Sequence, residues 1–147
     1  MMILGEVLEI FSATKESSGL PRPKVVNLNL IENHGIEFDK FAKKNLDQTV
    51  MIVGIKSYQL AKANNIDLEL GSLGENILVD FDPHDFKVGT CFKIGDAVIQ
   101  TTQICTVCNH LSVFDKNLPK LLKGQRGIYC KIIKSGKILK NMNVEEL

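Results

Sequence analysis

The sequence lacks any run of roughly 18 apolar residues, the length a helix needs to cross a bilayer, so no membrane-spanning segment is expected. It also lacks a charge imbalance. A formal net charge of +1 gives no global field to draw in nucleic acid or an anionic membrane surface, and neither is expected as a partner. Glu6 and Glu9 interrupt the N-terminal stretch where a secretory signal requires continuous apolar residues, which points to the cytoplasm. There is no phosphate-cradling glycine loop, no HExxH motif, no Ser/His/Asp set and no flavin or nicotinamide fingerprint. Internal repeats, linkers and low-complexity segments are missing as well. Cysteine is sparse: Cys91, Cys105, Cys108 and Cys130 are all there is. In a reducing compartment these are core residues, ligands or reactive thiols rather than disulfide staples.

What is present suits one globular domain spanning residues 1–147, large enough to bury its own core. Hydrophobic residues at 44% against charged residues at 24% separate the chain from disordered sequences. Strand patterns follow one another at short spacing: Ile3 to Ile10, Lys24 to Ile31, Thr49 to Val53 and Asn76 to Val79. Cys91 to Ile94 and Ala97 to Ile104 come next, joined by Gly95-Asp96 as a hairpin turn, then Gly127 to Ile133 and Lys137 to Leu139. Ser57 to Asn64 carries helix formers behind Ser57 as an N-cap, and is the longest helix expected. Residues 106–114 and 118–122 predict a helical turn or two each. His34 to Lys40 reads as an irregular loop. About seven or eight short strands with only small helices between them predict a mostly β fold, a closed or nearly closed barrel. The alternation of strands with long helices that marks a doubly wound sheet is absent.

Cys108 is the first residue of chemical interest. It follows a strand and stands among Thr106, Asn109 and His110, where a thiol can be a nucleophile, a sulfur carrier or a metal ligand. Cys105 precedes it by one helical turn. Two small buried hydrophobes would read the same way. A Cys105-x-x-Cys108 zinc knuckle is another reading, though no second paired motif supplies the remaining ligands. A thioredoxin-like pair lacks its βαβ context. Arg22, Lys24, Lys40 and Arg126 are the cations nearest the loop segments, and most such cations are simply solvated. Arg126-Gly127 opens a strand, where a guanidinium can offer its fork to phosphate or carboxylate. Asp39 could orient such a cation.

Several separated motifs, in order, resemble one family. Gly74-Glu75-Asn76-Ile77, Val88-Gly89, Ile94-Gly95-Asp96-Ala97-Val98, Thr102-Gln103 leading to Cys108, and Arg126-Gly127-Ile128-Tyr129 look like a MOSC domain. This is the C-terminal domain of molybdenum-cofactor sulfurases, found also as small free-standing proteins. The likeness runs from about Gly5 to about Ile138. It implies a barrel-like fold, a bound molybdenum cofactor, and Cys108 as the matched ligand to molybdenum. Lys24, Asp39, Lys40, Asn76 and Arg126 lie in or beside the matched segments and are the implied cofactor-binding residues. Of these, Lys24, Asp39, Asn76 and Arg126 are expected to line one cleft with Cys108. The chain departs from the pattern at two places. Ile104, Cys105 and Val107 stand where proline, arginine and proline are usual, and Phe38 and Phe41 replace a glycine and a histidine.

Free-standing relatives of this kind reduce N-hydroxylated bases and related N–O compounds. The resemblance therefore implies a small molybdoenzyme with an N-hydroxylated substrate. Electrons would come from a partner reductase, because the sequence carries no flavin or nicotinamide motif. A sulfur carrier is the alternative from a different class: Cys108 would hold a persulfide received from a sulfur-donor protein, with Cys105 as a resolving thiol. A non-catalytic cofactor-binding module is the third.

Overall fold

The computed structural model describes residues 2–16, 19–106 and 109–147. Its ten strands are β1 (Met2–Ile10), β2 (Leu28–Ile31), β3 (Gly35–Ile36), β4 (Val50–Gly54), β5 (Ile77–Val79), β6 (Cys91–Ile94), β7 (Ala97–Ile104), β8 (Ile128–Lys134), β9 (Gly136–Ile138) and β10 (Asn143–Glu146). Two short α-helices, α1 (Ile55–Ala63) and α2 (Leu118–Leu121), are the α-helices among the described residues. Seven strands close into a barrel in the order β1, β10, β6, β7, β8, β4, β5, so the expected mostly β barrel is what forms. A second sheet, ordered β3, β2, β9, packs beside it. At the junction Gly136 comes so close to the barrel that a Cβ would sit 2.4 Å from the Ala97 amide nitrogen.

The side-chain pattern explains which strands lie where. In β8 the alternating residues Ile128, Cys130 and Ile132 point inward, the period-2 signature of a strand with one wet face. β4 is buried at every position. Val50 and Ile52 face the barrel interior, while Met51 and Val53 face a second apolar cluster with Tyr58 and Ala61 of α1. β5 divides likewise, with Ile77 and Val79 inside and Leu78 outside. A strand covered on both faces reads as a continuous apolar run. Each fully buried Ile or Leu contributes about 1.5–3 kcal/mol. β4 and β5 run parallel, unlike every other neighbouring pair in the barrel, and α1 lies in the connection between them.

Three local features differ from expectation. Ser57 is not the helix cap. The helix starts at Ile55 behind Gly54, and the Ser57 hydroxyl instead donates to the Gln125 carbonyl. A Cβ at Gly54 would lie 2.5 Å from the Phe81 carbonyl, so the close approach of the segment after β5, not a polar cap, selects the residue there. β3 forms inside the segment read as an irregular loop, and β10 forms where no strand is predicted. Only Val144 of β10 is buried, too little apolar signal to mark a strand, yet β10 pairs with both β1 and β6 and closes the barrel. Among the described residues no helix is long and apolar enough to cross a membrane.

Candidate functional site

One end of β4, β5 and β8 opens into a cavity of about 260 Å³. Its walls include Arg22, Lys40, Phe41, Asn76, His110, Arg126 and Tyr129. The chain has two arginines in all, Arg22 and Arg126, and both line this one cavity. A guanidinium presents a planar fork of donors suited to phosphate and carboxylate, which lysine does not. A larger depression of about 570 Å³ lies beyond Asp39, but it is more open and no arginine reaches it. The convergence of cations, rather than volume, marks the smaller cavity as the candidate site.

Each guanidinium is held differently. Arg126, just before β8, is 3% exposed, and its Nε donates to the Leu73 carbonyl at 2.8 Å. Gly74 adjoins it with φ at +81°, and a Cβ there would come within 2.9 Å of Arg126 Nη2. Arg22 stacks over the Phe41 ring, 4.8 Å from its centroid, and its Nη1 stands 3.9 Å from Asp39 Oδ1. That distance is an ion pair but too long for a hydrogen bond, and Nη1 is buried without a hydrogen-bond partner among the described residues. Burial lowers the Arg22 pKa and Arg126 adds to the effect, while Asp39 and Glu75 oppose it. The Nζ atoms of Lys40 and Lys44 lie 5.3 Å and 5.9 Å from the same Phe41 ring. Three cations thus gather around one aromatic ring, whose negative quadrupole offsets part of their mutual repulsion.

Asn76 is fixed by the fold. Its Oδ1 accepts from the Met51 amide at 3.0 Å and its Nδ2 donates to the Phe11 carbonyl at 3.1 Å, bridging β4 to the end of β1 just ahead of β5. Tyr129 carries a hydroxyl at the wall, where it accepts from the Cys105 thiol at 3.6 Å. Burial, then the contact with Cys105, pushes the Tyr129 pKa up to about 12, against the pull of Arg126 and Arg22. The phenol therefore keeps its proton at neutral pH. His110 goes the other way: burial first and Arg126 second lower its pKa, so its imidazole is neutral at pH 7. The wall offers a donor, an acceptor and fixed positive charge.

Of the residues expected to share one cleft, Asn76 and Arg126 line this cavity, and Lys40, expected only as a cofactor-binding residue, lines it too. Lys24 does not. Its ammonium is 3.8 Å from Glu9 Oε2, its side chain is 61% exposed, and it borders a different surface depression with Pro21, Pro23 and Glu69. Asp39 stands behind Arg22 rather than in the cavity. Its carboxylate accepts from the Ser12 hydroxyl at 2.7 Å, the Ala13 amide at 3.2 Å and the Phe41 amide at 3.0 Å. Cys108 and Val107 lie outside the described residues; His110, two positions further on in sequence, lines the cavity. Cys105 is fully buried in the second apolar cluster. Among the described residues no three of His, Cys, Asp and Glu come together as a metal site.

The sequence offers Arg22 only as one cation among several and His110 only as an isolated candidate zinc ligand, and nothing in it marks Tyr129. The available signal for Arg22 is its setting between Pro21 and Pro23, which restricts the backbone there but leaves the side-chain direction to packing. Phe38, which the resemblance sets against a usual glycine, has a left-handed backbone, φ +68°, and is 80% exposed. For a bulky residue that is an uncommon conformation.

A family model for the MOSC domain matches residues 33–145. The chain belongs to the MOSC domain family. Solved structures share the fold. The YUAD protein from Bacillus subtilis superposes with a TM-score of 0.77 at 15% identity, covering 95% of this chain and 93% of that one. YiiM from Escherichia coli gives a TM-score of 0.75 at 19% identity, covering 100% of this chain and 70% of that one. YiiM from Geobacillus stearothermophilus gives 0.71 at 15%, covering 99% and 74% respectively. No curated protein matches the sequence at a significant level.

Proposed function

We infer that this chain binds the molybdenum cofactor in the 260 Å³ cavity and reduces N-hydroxylated compounds with electrons from a partner reductase. The observation that carries the reading is the convergence of Arg22, Lys40 and Arg126 on one cavity. The residues present fit an anionic group. Arg22 keeps a buried donor without a hydrogen-bond partner among the described residues, and the missing Cβ of Gly74 leaves room beside Arg126. Ligand pockets run from roughly 300 Å³ upward, so the cavity suits the phosphate-bearing part of a cofactor rather than all of it.

Arg22 and Arg126 would hold the phosphate through charge-assisted hydrogen bonds, with Lys40 adding a point charge at the rim. Asp39 would brace Arg22 from behind, and Asn76 would keep the wall in place. Cys108 would supply a thiolate, the soft donor that suits molybdenum. When bound, the cofactor supplies a metal that changes by two electrons and takes oxygen from an N–O bond. Reducing a hydroxylamine to an amine and water also consumes two protons. The Tyr129 hydroxyl holds a proton at the wall, and neutral His110 can take one up from solvent and pass it on.

The test is metal analysis with pterin fluorescence on protein made in cells that synthesise the cofactor. About one molybdenum and one pterin per chain, both lost in Arg126→Ala, is the expected result. A persulfide mass shift on Cys108 without metal would replace this reading with the sulfur carrier.

A further inference from the structure

We propose that Tyr58 and Glu75, neither of which lines the cavity, are positioning residues that fix the Arg126 guanidinium, and the backbone from which Arg22 extends, by pinning one turn. The inference rests on reading the cavity as an anion site. The turn is residues 71–74. Gly71 and Gly74 both have left-handed φ, +95° and +81°, and the Gly74 amide donates to the Gly71 carbonyl at 3.1 Å. The same Gly71 carbonyl accepts from the Arg22 amide at 3.0 Å. Two residues later the Leu73 carbonyl accepts from Arg126 Nε at 2.8 Å. Carbonyls of one turn therefore hold Arg126 by its side chain and Arg22 by its backbone amide.

The turn is in turn held by a single phenol. Tyr58, on the buried face of α1, accepts from the Gly71 amide at 3.0 Å and the Leu73 amide at 3.2 Å. With both lone pairs engaged, its one proton points at Glu75 Oε2, 2.6 Å away. The bonds run Glu75, Tyr58, backbone of the turn, Arg126. Glu75 is fully buried, and its Oε1 has no hydrogen-bond partner among the described residues. Such a carboxyl costs stability that an apolar side chain would not, which is hard to explain by packing alone. Its role is to fix the phenol's one proton, and with it the two lone pairs that grip the turn.

Having two arginines makes the idea directly readable, because the protein gives two side-chain Nε–H signals in a nitrogen-15 spectrum. The experiment measures hydrogen exchange of Arg126 Nε–H, affinity for inorganic phosphate and thermal stability in Tyr58→Phe, Glu75→Leu and Glu75→Gln. Val144→Ala, in the barrel interior, serves as a stability control. Tyr58→Phe and Glu75→Leu should speed Arg126 Nε–H exchange and weaken phosphate on the order of tenfold, the loss typical of removing a binding residue's outer partner. Glu75→Gln keeps an oxygen that accepts the phenol's proton and should rescue both readouts. Val144→Ala should lower thermal stability and change neither. Wild-type exchange and affinity in Tyr58→Phe, whatever its thermal stability, would overturn the proposal. So would an equal change in Val144→Ala. If wild-type protein fails to bind phosphate, the anion-site reading falls, and the exchange rates still decide whether Tyr58 and Glu75 position Arg126.

Discussion

Replacing Gly74 by alanine tests whether the close fit between the turn and Arg126 matters for binding. Two effects act together. At φ +81° a Cβ meets the backbone strain of the left-handed region, about 1–2 kcal/mol for an alanine. The same Cβ would lie 2.9 Å from Arg126 Nη2, and something must move. The guanidinium is the flexible partner, but its Nε is tethered to the Leu73 carbonyl, so the head must rotate about that bond. Gly89 separates the two effects. It also has a left-handed φ, +103°, but a Cβ there meets nothing within 4 Å, and it lies away from the cavity. Both variants should lose about 1–2 kcal/mol, a fall in Tm of roughly 2–8 °C for a chain of this size. Only Gly74→Ala should also weaken phosphate binding, by about tenfold in calorimetric titration. Unchanged phosphate affinity in Gly74→Ala would falsify the claim that Arg126 is aimed by this turn.

The two neighbouring thiols should behave differently. Cys108→Ser should abolish molybdenum retention by metal analysis, because a hydroxyl is a poor substitute for a thiolate. Cys105→Ser should retain metal but lose about 1–3 kcal/mol in denaturant melts, since it places a hydroxyl in a fully buried apolar site. Equal loss of metal from both would contradict Cys108 as the sole thiol ligand. Glu75 should leave a signature in stability against pH. Burial raises its carboxyl pKa, outweighing the hydrogen bond from Tyr58 and the charge of Arg22. The folded form thus holds its proton to higher pH than the unfolded chain, so stability falls as pH rises from about 4.3 through the raised value. Glu75→Gln should remove that fall in melts recorded across the range, and a wild-type slope in the variant would refute the assignment.

Much of the barrel is local in origin. The β6–β7 hairpin follows from two apolar alternations joined by Gly95-Asp96, and its register pairs Ile94 with Ala97 as that turn requires. Helix α1 begins and ends within two residues of the predicted span. The uniform burial of β4 was written in its unbroken apolar run. β10 was not legible, because a strand with one buried residue takes its place from its neighbours' hydrogen bonds. The parallel pairing of β4 with β5 is likewise a property of the closed sheet and not of either segment.

The site divides along the same line. Asn76 and Arg126 line the cavity beside strand ends whose positions the sequence marks, whereas Lys40 reaches it from the segment read as an irregular loop. Between Arg22 and Lys24 the sequence reading favours Lys24, and the structure places Arg22 in the cavity instead. Both flank Pro23 in one loop, and only packing decides that Arg22 turns onto Phe41 while Lys24 turns out to Glu9. Tyr58 and Glu75 read as an ordinary helix residue and an ordinary motif acid. Their link to Arg126 passes through the backbone of residues 71–74, and contacts between residues distant in sequence exist only once the chain has closed on itself. The sequence by itself determined most of the barrel strands, β10 excepted, and which segments carry charge. Tertiary structure alone decided which charges meet, because hydrogen-bond partners are set by distances that no local pattern encodes.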